Sequence, residues 1–298
     1  MAKVLSWVGD AVKRLRGFAY GPARPPERAH RPRVGLALGG GFARGIAHIG
    51  VLRVLEQEGI PIDCIAGTSV GALIASAHAC GSPVSAMAAH AASTRFRDFG
   101  RWTLSWLGLA SNERLEDYLH RVCTANRFED LKTPLAIVAT DLGSGESVYF
   151  TRGEIALALR ASCAYPGLFL PVEYEGRLLV DGFLSEPVPV EAVRRLGAEF
   201  VIAVYLDPGL NHDKPKTVAD VLSRSFSIMQ RYSESTWRRR ADAVIEPDVK
   251  PFPWDAFARA PEIVLAGEAA ARRAVPKIKA ALQPFVAAVP AKESAIYR

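Results

Sequence analysis

From residue 33 onward, short apolar runs alternate with segments of helical period. "RVGLAL" and "IDCIA" are strands, and between them "GIAHIGVLRVLEQEG" puts Ile49, Leu52 and Leu55 on one face of a helix. "VGALIASAHAC" is a second helix, closed by Gly81 and Pro83. Downstream come the helical "ERLEDYLHRVCT", the strand "PLAIVATDL" with "ESVYF" as its hairpin partner, and a short strand in "GRLLVD". "EFVIAVYL" and the shorter "ADAVIEP" are further strands, and "RSFSIMQRYSESTWRRR" is a basic amphipathic helix. The final "APEIVLAGEAAARRAVPKIKAAL" is helical, with a bend or restart expected at Pro276. Strands alternating with helices predict one α/β domain whose largely parallel sheet is covered on both faces.

The first 32 residues follow a different pattern. Val4, Val8, Val12 and Leu15 share one side of an expected helix, with Lys3, Lys13, Arg14 and Arg16 elsewhere. Such a segment docks on the domain, lies in a lipid interface, or stays disordered. Gly21–Pro32 holds four prolines without periodicity and is expected to be a linker. Residues 1–32 are therefore set apart from a domain over 33–290. No run approaches the roughly 18 uncharged apolar residues of a membrane-spanning helix, and charges from Asp10 to Arg16 break the N-terminal run expected of a signal peptide.

The 298 residues are 49% hydrophobic and carry a net charge of +6, which suits an acidic partner. No nucleic-acid fold signature accompanies that charge, so nucleic acid is not an expected partner. Cys64, Cys80, Cys123 and Cys163 lack metal-ligand spacing, and reduced thiols in a cytoplasmic protein are the expectation.

The glycine-rich "GLALGGGFARGIAHIGVL" joins the first strand to its helix, a place where backbone N–H groups gather around negative charge. It is not a nucleotide loop. A dinucleotide fingerprint begun at Gly39 meets Arg44 where glycine is required, and one begun at Gly40 meets Phe42. A P-loop would need Lys and Ser/Thr where Ile46 and Ala47 stand. A transient oxyanion is the better partner.

Gly67-Thr68-Ser69-Val70-Gly71 is a G-x-S-x-G between a strand and a helix, the setting that exposes a serine Oγ on a sharp turn. For a base, Ser69, Asp181 and His212 occur in α/β-hydrolase order, but only two strands precede the serine in the domain. Asp181, followed by Gly182 at a strand end, is a direct alternative, although Asp-Gly is also a common turn dipeptide.

Together "GGGFARG", "GTSVG" and "DGF" resemble, in order and spacing, the motifs of bacterial patatin-like phospholipases. "VATDLGSGE", "RASCAYPGLFLPV", "EPVPV" and "ADAVIEPD" add to the likeness, which covers roughly residues 33–285. The resemblance implies a patatin-like three-layer α/β/α sandwich and a Ser69–Asp181 dyad that hydrolyses acyl esters through an acyl-enzyme. It implies no metal, no other cofactor and no catalytic histidine. The oxyanion would face Gly40, Gly41 and Phe42, while Gly39, Arg44 and Gly45 would support the loop, with Gly45 starting the helix. Gly67 and Gly71 would shape the serine turn and Gly182 the aspartate turn. Asp141 would be structural, holding the turn over 141–147.

The family usually has Gly or Ala where Phe42 and Phe183 stand. The two rings are expected close together, lining or narrowing the acyl entrance. "TRFRDFGRWTLSWLGLA" spaces Phe96, Phe99, Trp102 and Trp106 near a helical period among arginines, suiting a core, a dimer seam or a lipid interface. Peripheral contact with an anionic membrane, at the inner face of the cell membrane, and a homo-oligomer are both left open. So are two rivals to the lipid or acyl-ester hydrolase: a membrane-associated scaffold with an obstructed site, and an acyltransferase.

Overall fold

The computed structural model describes residues 31–103, 105–209 and 214–286. The expected N-terminal helix, and the linker as far as His30, lie outside the described residues. A compact unit spans Pro32–Ala281.

Eight strands form the main sheet. Its path is β11 (Ala243–Ile245), β10 (Phe200–Val204), β1 (Val34–Leu38), β2 (Cys64–Thr68), β5 (Leu135–Asp141), β9 (Arg177–Asp181) and β8 (Val172–Tyr174), with β6 (Ser147–Phe150) also on β5. The pairs from β11 to β5 are parallel, and those made by β6, β8 and β9 are antiparallel. "ESVYF" is thus the hairpin partner expected from the sequence.

Side-chain alternation divides the core into two layers. Ala37, Cys64, Ala66, Ala136, Val138 and Ala203 pack with Val190, Val193 and Trp237 on one face, where small residues let the helix Val190–Arg195 lie close. Leu36, Leu38, Ile65, Ile137 and Ile202 are also fully buried and alternate with that set. The helices Val70–Ala79 and Ile155–Ser162 pack on the sheet at its centre. This is the three-layer α/β/α sandwich.

Three expectations are corrected. The aromatic segment at residues 94–110 is no helix: a 3-10 turn, Phe96–Asp98, leads into β3 (Arg101–Trp102) and β4 (Gly108–Ser111), and β4 pairs with β7 (Gly167–Phe169). Gly108 is needed there, since a Cβ would fall 2.8 Å from the Phe169 carbonyl carbon. The last helix, Ala260–Val286, is continuous through Pro276, so of the expected bend or restart the restart is overturned. Proline removes only one backbone bond, and Ala271, Val275 and Ile278 are buried on either side of it. Finally, Cys80 and Cys123 form a disulfide, their Cα atoms 5.5 Å apart, while Cys64 and Cys163 are free. They cap two helices, Val70–Ala79 and Arg114–Val122, whose C-terminal ends meet although the cysteines are 43 residues apart. Among the described residues no helix is long and apolar enough to cross a membrane.

Candidate active site

The register of β5 brings the two candidate residues together. Thr68 of β2 pairs with Val138, and Asp181 of β9 pairs with the next residue, Ala139. Since β6 occupies the opposite edge at both positions, β2 and β9 follow one another along the same edge of β5. Ser69, the next residue after Thr68, therefore turns beside Asp181.

Ser69 sits between β2 and the helix Val70–Ala79 with φ +56°, a conformation that strains any residue but glycine. The turn is tight enough to demand its glycines. A Cβ on Gly67 would fall 2.3 Å from Ala72 N, and one on Gly71 would fall 2.2 Å from Leu38 O. Ser69 is largely buried, and its backbone N–H donates to Ser162 Oγ at 2.8 Å. Ser162 ends the helix Ile155–Ser162 and is fully buried. It was not singled out by the sequence, where a small residue in an apolar helix carries no distinguishing signal.

Asp181 is fully buried at the end of β9. Its N–H donates to Ala164 O (3.0 Å), its carbonyl accepts from Thr140 Oγ1 (3.0 Å), and Oδ1 accepts from the Phe183 N–H (3.0 Å). Oδ2 is buried and completes no hydrogen bond. Burial pushes the Asp181 carboxyl up to about 7, against the opposing pull of the Ser69 hydroxyl and the Phe183 N–H. Gly182 is obligatory, because a Cβ would fall 2.3 Å from Val138 O.

The glycine loop is held from several sides. Gly39 N–H donates to Val204 O (3.1 Å), and Gly39 O accepts from His48 Nε2 (2.8 Å). Burial lowers His48 to about 4, so its ring is neutral at ordinary pH and holds the loop. Gly40 faces the serine: a Cβ there would lie 3.4 Å from Ser69 Cβ. The Gly40 N–H, expected to face an oxyanion, is instead engaged by Pro187 O at 3.2 Å. Arg44 donates from Nε to Phe252 O (2.8 Å) and from Nη1 to Pro208 O (2.9 Å), and Ala43 N–H donates to Trp254 O (3.0 Å). Gly45 does not open the α-helix, which begins at Ala47 after a 3-10 turn over Phe42–Ile46. Glycine is needed there because a Cβ would fall 2.2 Å from Val70 Cγ1. Gly41 similarly lies against Leu206, whose Cδ1 would be 2.7 Å from a Cβ.

Phe42 has φ +51°, so the position disfavours the residue it holds. Its ring meets Tyr165 (5.5 Å between centroids) and Trp254 (5.1 Å) edge-on. Phe183 stacks on Tyr165 at 4.9 Å. The two rings are thus joined through Tyr165, a residue the sequence gave no reason to choose. Phe42, Ser69, Val70, Leu73, Phe99 and Phe169 are among the walls of an apolar cavity of about 500 Å3, its open mouth included. Phe183 is not among those walls: it is buried and stacked on Tyr165, so of the two phenylalanines only Phe42 lines the cavity. Cys163 also lines the cavity, its thiol pushed well up by burial and by Asp181.

Asp141 holds its turn as expected, Oδ1 accepting from Gly143 N–H at 2.9 Å. His212 lies outside the described residues.

Residues 36–194, more than half of the chain, match the patatin-like phospholipase family. The chain is 40% identical over 200 residues to an NTE family protein of Mycobacterium bovis, covering 65% of this chain and 55% of that protein. It is 31% identical over 206 residues to a lysophospholipase of Aspergillus fumigatus, covering 67% of this chain and 14% of the fungal protein. It therefore spans about half of the mycobacterial relative and a small part of the fungal one. Among solved structures, VipD from Legionella pneumophila is similar with a TM-score of 0.45 at 14% identity, over 83% of this chain and 67% of VipD. The chain belongs to the patatin-like phospholipase family.

Proposed function

We propose that this chain is a serine lipid acyl hydrolase, a carboxylic ester hydrolase whose catalytic domain occupies 33–290. The observation that carries this reading is the placement of strained Ser69 beside buried Asp181 on one edge of β5, with Ser69 in the wall of an apolar cavity. Asp181, with a carboxyl near 7, is a competent general base at ordinary pH.

Ser69 Oγ attacks the ester carbonyl carbon as its proton passes to Asp181 Oδ2. The tetrahedral oxyanion is met by loop N–H groups not already engaged, those of Gly41 and Phe42. Collapse expels the alcohol, which takes the proton from Asp181, and leaves Ser69 acylated. Water, deprotonated by the same carboxylate, then attacks the acyl carbon; Ser69 Oγ leaves, taking that proton back from Asp181, and the acid is released. The apolar cavity suits the acyl chain of a phospholipid, lysophospholipid or simpler ester. The protein works at the inner membrane face or in the cytoplasm, a placement that the Cys80–Cys123 disulfide deprives of its reduced-thiol argument, and the chemistry needs no metal.

Hydrolysis of p-nitrophenyl esters of graded acyl length by the wild type, Ser69→Ala and Asp181→Asn, each checked for folding, tests this. Loss of several orders of magnitude in both variants is expected. Activity retained in folded Asp181→Asn would overturn the dyad and turn attention to His212. Inactive folded wild type, on soluble esters and on phospholipid vesicles, would favour the scaffold reading, and an acceptor-dependent acyl product would identify an acyltransferase.

A further inference from the structure

The helix Val218–Arg238 carries an apolar stripe that no other element covers among the described residues. Val218, Val221, Leu222, Ile228, Met229 and Tyr232 are all exposed, Tyr232 at 83%. At 100° per residue they fall within about a third of the helix circumference. The stripe lies beside the helix's inward face, where Phe226 contacts Tyr165 and Phe183. A second exposed apolar surface adjoins it. The β3–β4 hairpin presents Trp102, Trp106, Leu107 and Leu109, with Trp106 fully exposed at its tip.

The two surfaces meet at β7. Leu222 Cδ1 would be 3.6 Å from a Cβ on Gly167, and β7 pairs with β4. The hairpin is also continuous with the cavity. Trp102 contacts Phe96 (5.8 Å), Phe96 stacks on Phe169 (6.2 Å), and both phenylalanines line the space that holds Ser69. A contiguous apolar face of this extent is uncommon on a free soluble surface.

We infer that this face, formed by the hairpin tip and the helix stripe, seats the protein on an anionic lipid bilayer with the cavity mouth toward the acyl chains. This rests on the hydrolase reading for its purpose but not for its test. The charges nearby favour lipid over a second copy of the chain. Arg95, Arg97 and Arg101 are exposed next to the hairpin, and Lys214, Lys216 and Arg231 next to the stripe. Of the acids on these segments, Asp98 accepts from the Arg95 N–H, Glu113 is 3.9 Å from Arg101, Asp220 caps its helix, and Glu234 pairs with Arg238. Lipid phosphates would meet this cationic rim, whereas a two-fold contact would press it against itself. Exposed tryptophan beside arginine is also the composition of a membrane interface.

The test is co-sedimentation of the full chain with vesicles of phosphatidylcholine plus phosphatidylglycerol, and with phosphatidylcholine alone. We compare the wild type with Trp106→Ser/Leu107→Ser and with Val221→Ser/Tyr232→Ser, changes at exposed sites that leave the fold intact. The wild type is expected to prefer the anionic vesicles, less so at high salt. Each variant is expected to lose roughly tenfold or more in vesicle affinity, with hydrolysis of a short soluble ester unchanged. Wild type that ignores anionic vesicles, or variants that bind them as it does, would overturn the inference. So would a wild-type dimer that the substitutions dissociate without changing vesicle binding. Vesicle binding lost in the variants of a wild type that hydrolyses no ester would uphold the docking face while defeating the hydrolase reading.

Discussion

The backbone N–H of Ser69 donates to the hydroxyl of Ser162 across 93 residues of sequence, at 2.8 Å. This bond ties the strained serine turn to the end of a neighbouring helix, so in the proposed mechanism Ser162 positions the Ser69 nucleophile. Ser162→Ala leaves a buried N–H unsatisfied, at a cost of about 1–3 kcal/mol in stability. Misplacing the nucleophile slightly is expected to lower kcat roughly 10–100-fold with little change in KM. Counting the active sites by the burst of alcohol released on acylation, and dividing the steady-state rate by that count, separates this from mere loss of folded protein, which would lower the number of active sites and leave the rate at each one unaltered.

In the proposed mechanism, with Asp181 as the base, activity and stability depend on pH in opposite directions. As a base it must be ionised, so the rate is expected to rise about tenfold per pH unit up to about 7 and then level off. Its native value lies above that of the unfolded chain, so between about pH 4 and about 7 the native state holds a proton the unfolded state has released. The stability this group contributes is fully present below the unfolded value and is lost as pH rises through about 7. Asp181→Asn keeps an acceptor for the Phe183 N–H and removes the charge. It is expected to stabilise the protein at about pH 8 by an amount on the order of 4 kcal/mol at most, with little effect near about pH 4. Denaturant melts at the two pH values decide it, and a variant less stable than the wild type at the higher pH would refute a burial-raised carboxyl.

Much of this site was legible because close approach leaves its mark as glycine. Gly67, Gly71 and Gly182 each stand where a Cβ would strike backbone atoms, and they flank the two residues of interest in sequence. Ser162 and Tyr165 bear no such mark, since a buried hydroxyl or ring fits many environments. The hairpin was misread because Phe96, Phe99, Trp102 and Trp106 happen to lie near helical spacing, while the pairing of β4 with the distant β7 decides their structure. The Cys80–Cys123 link likewise depends on two helix ends meeting in three dimensions.

Arg44 reaches two carbonyls of chain segments more than 160 residues away, Pro208 O and Phe252 O. Lysine keeps the charge but loses the fork that meets both acceptors. Arg44→Lys is expected to lose about 1–2 kcal/mol of stability and to lower kcat about tenfold through a loosened loop. An unchanged kcat in the folded variant would show that the remaining bonds, His48 to Gly39 and Ala43 to Trp254, hold the loop without it.

Phe42 combines an unfavourable backbone with favourable ring contacts, and two substitutions separate them. Both Phe42→Ala and Phe42→Gly lose the edge-on contacts with Tyr165 and Trp254, each worth about 0.5–1.5 kcal/mol. Only glycine also removes the cost of φ +51°, roughly 1–2 kcal/mol for an L-residue. The glycine variant is therefore expected to be more stable than the alanine variant by about 1 kcal/mol, the reverse of their order at an ordinary position. Because the loop N–H is a backbone group, both variants keep a donor at residue 42, and the glycine variant is expected to retain the higher kcat. Paired denaturation curves measure the difference directly, and alanine more stable than glycine would mean that residue 42 is not held in the left-handed region in solution.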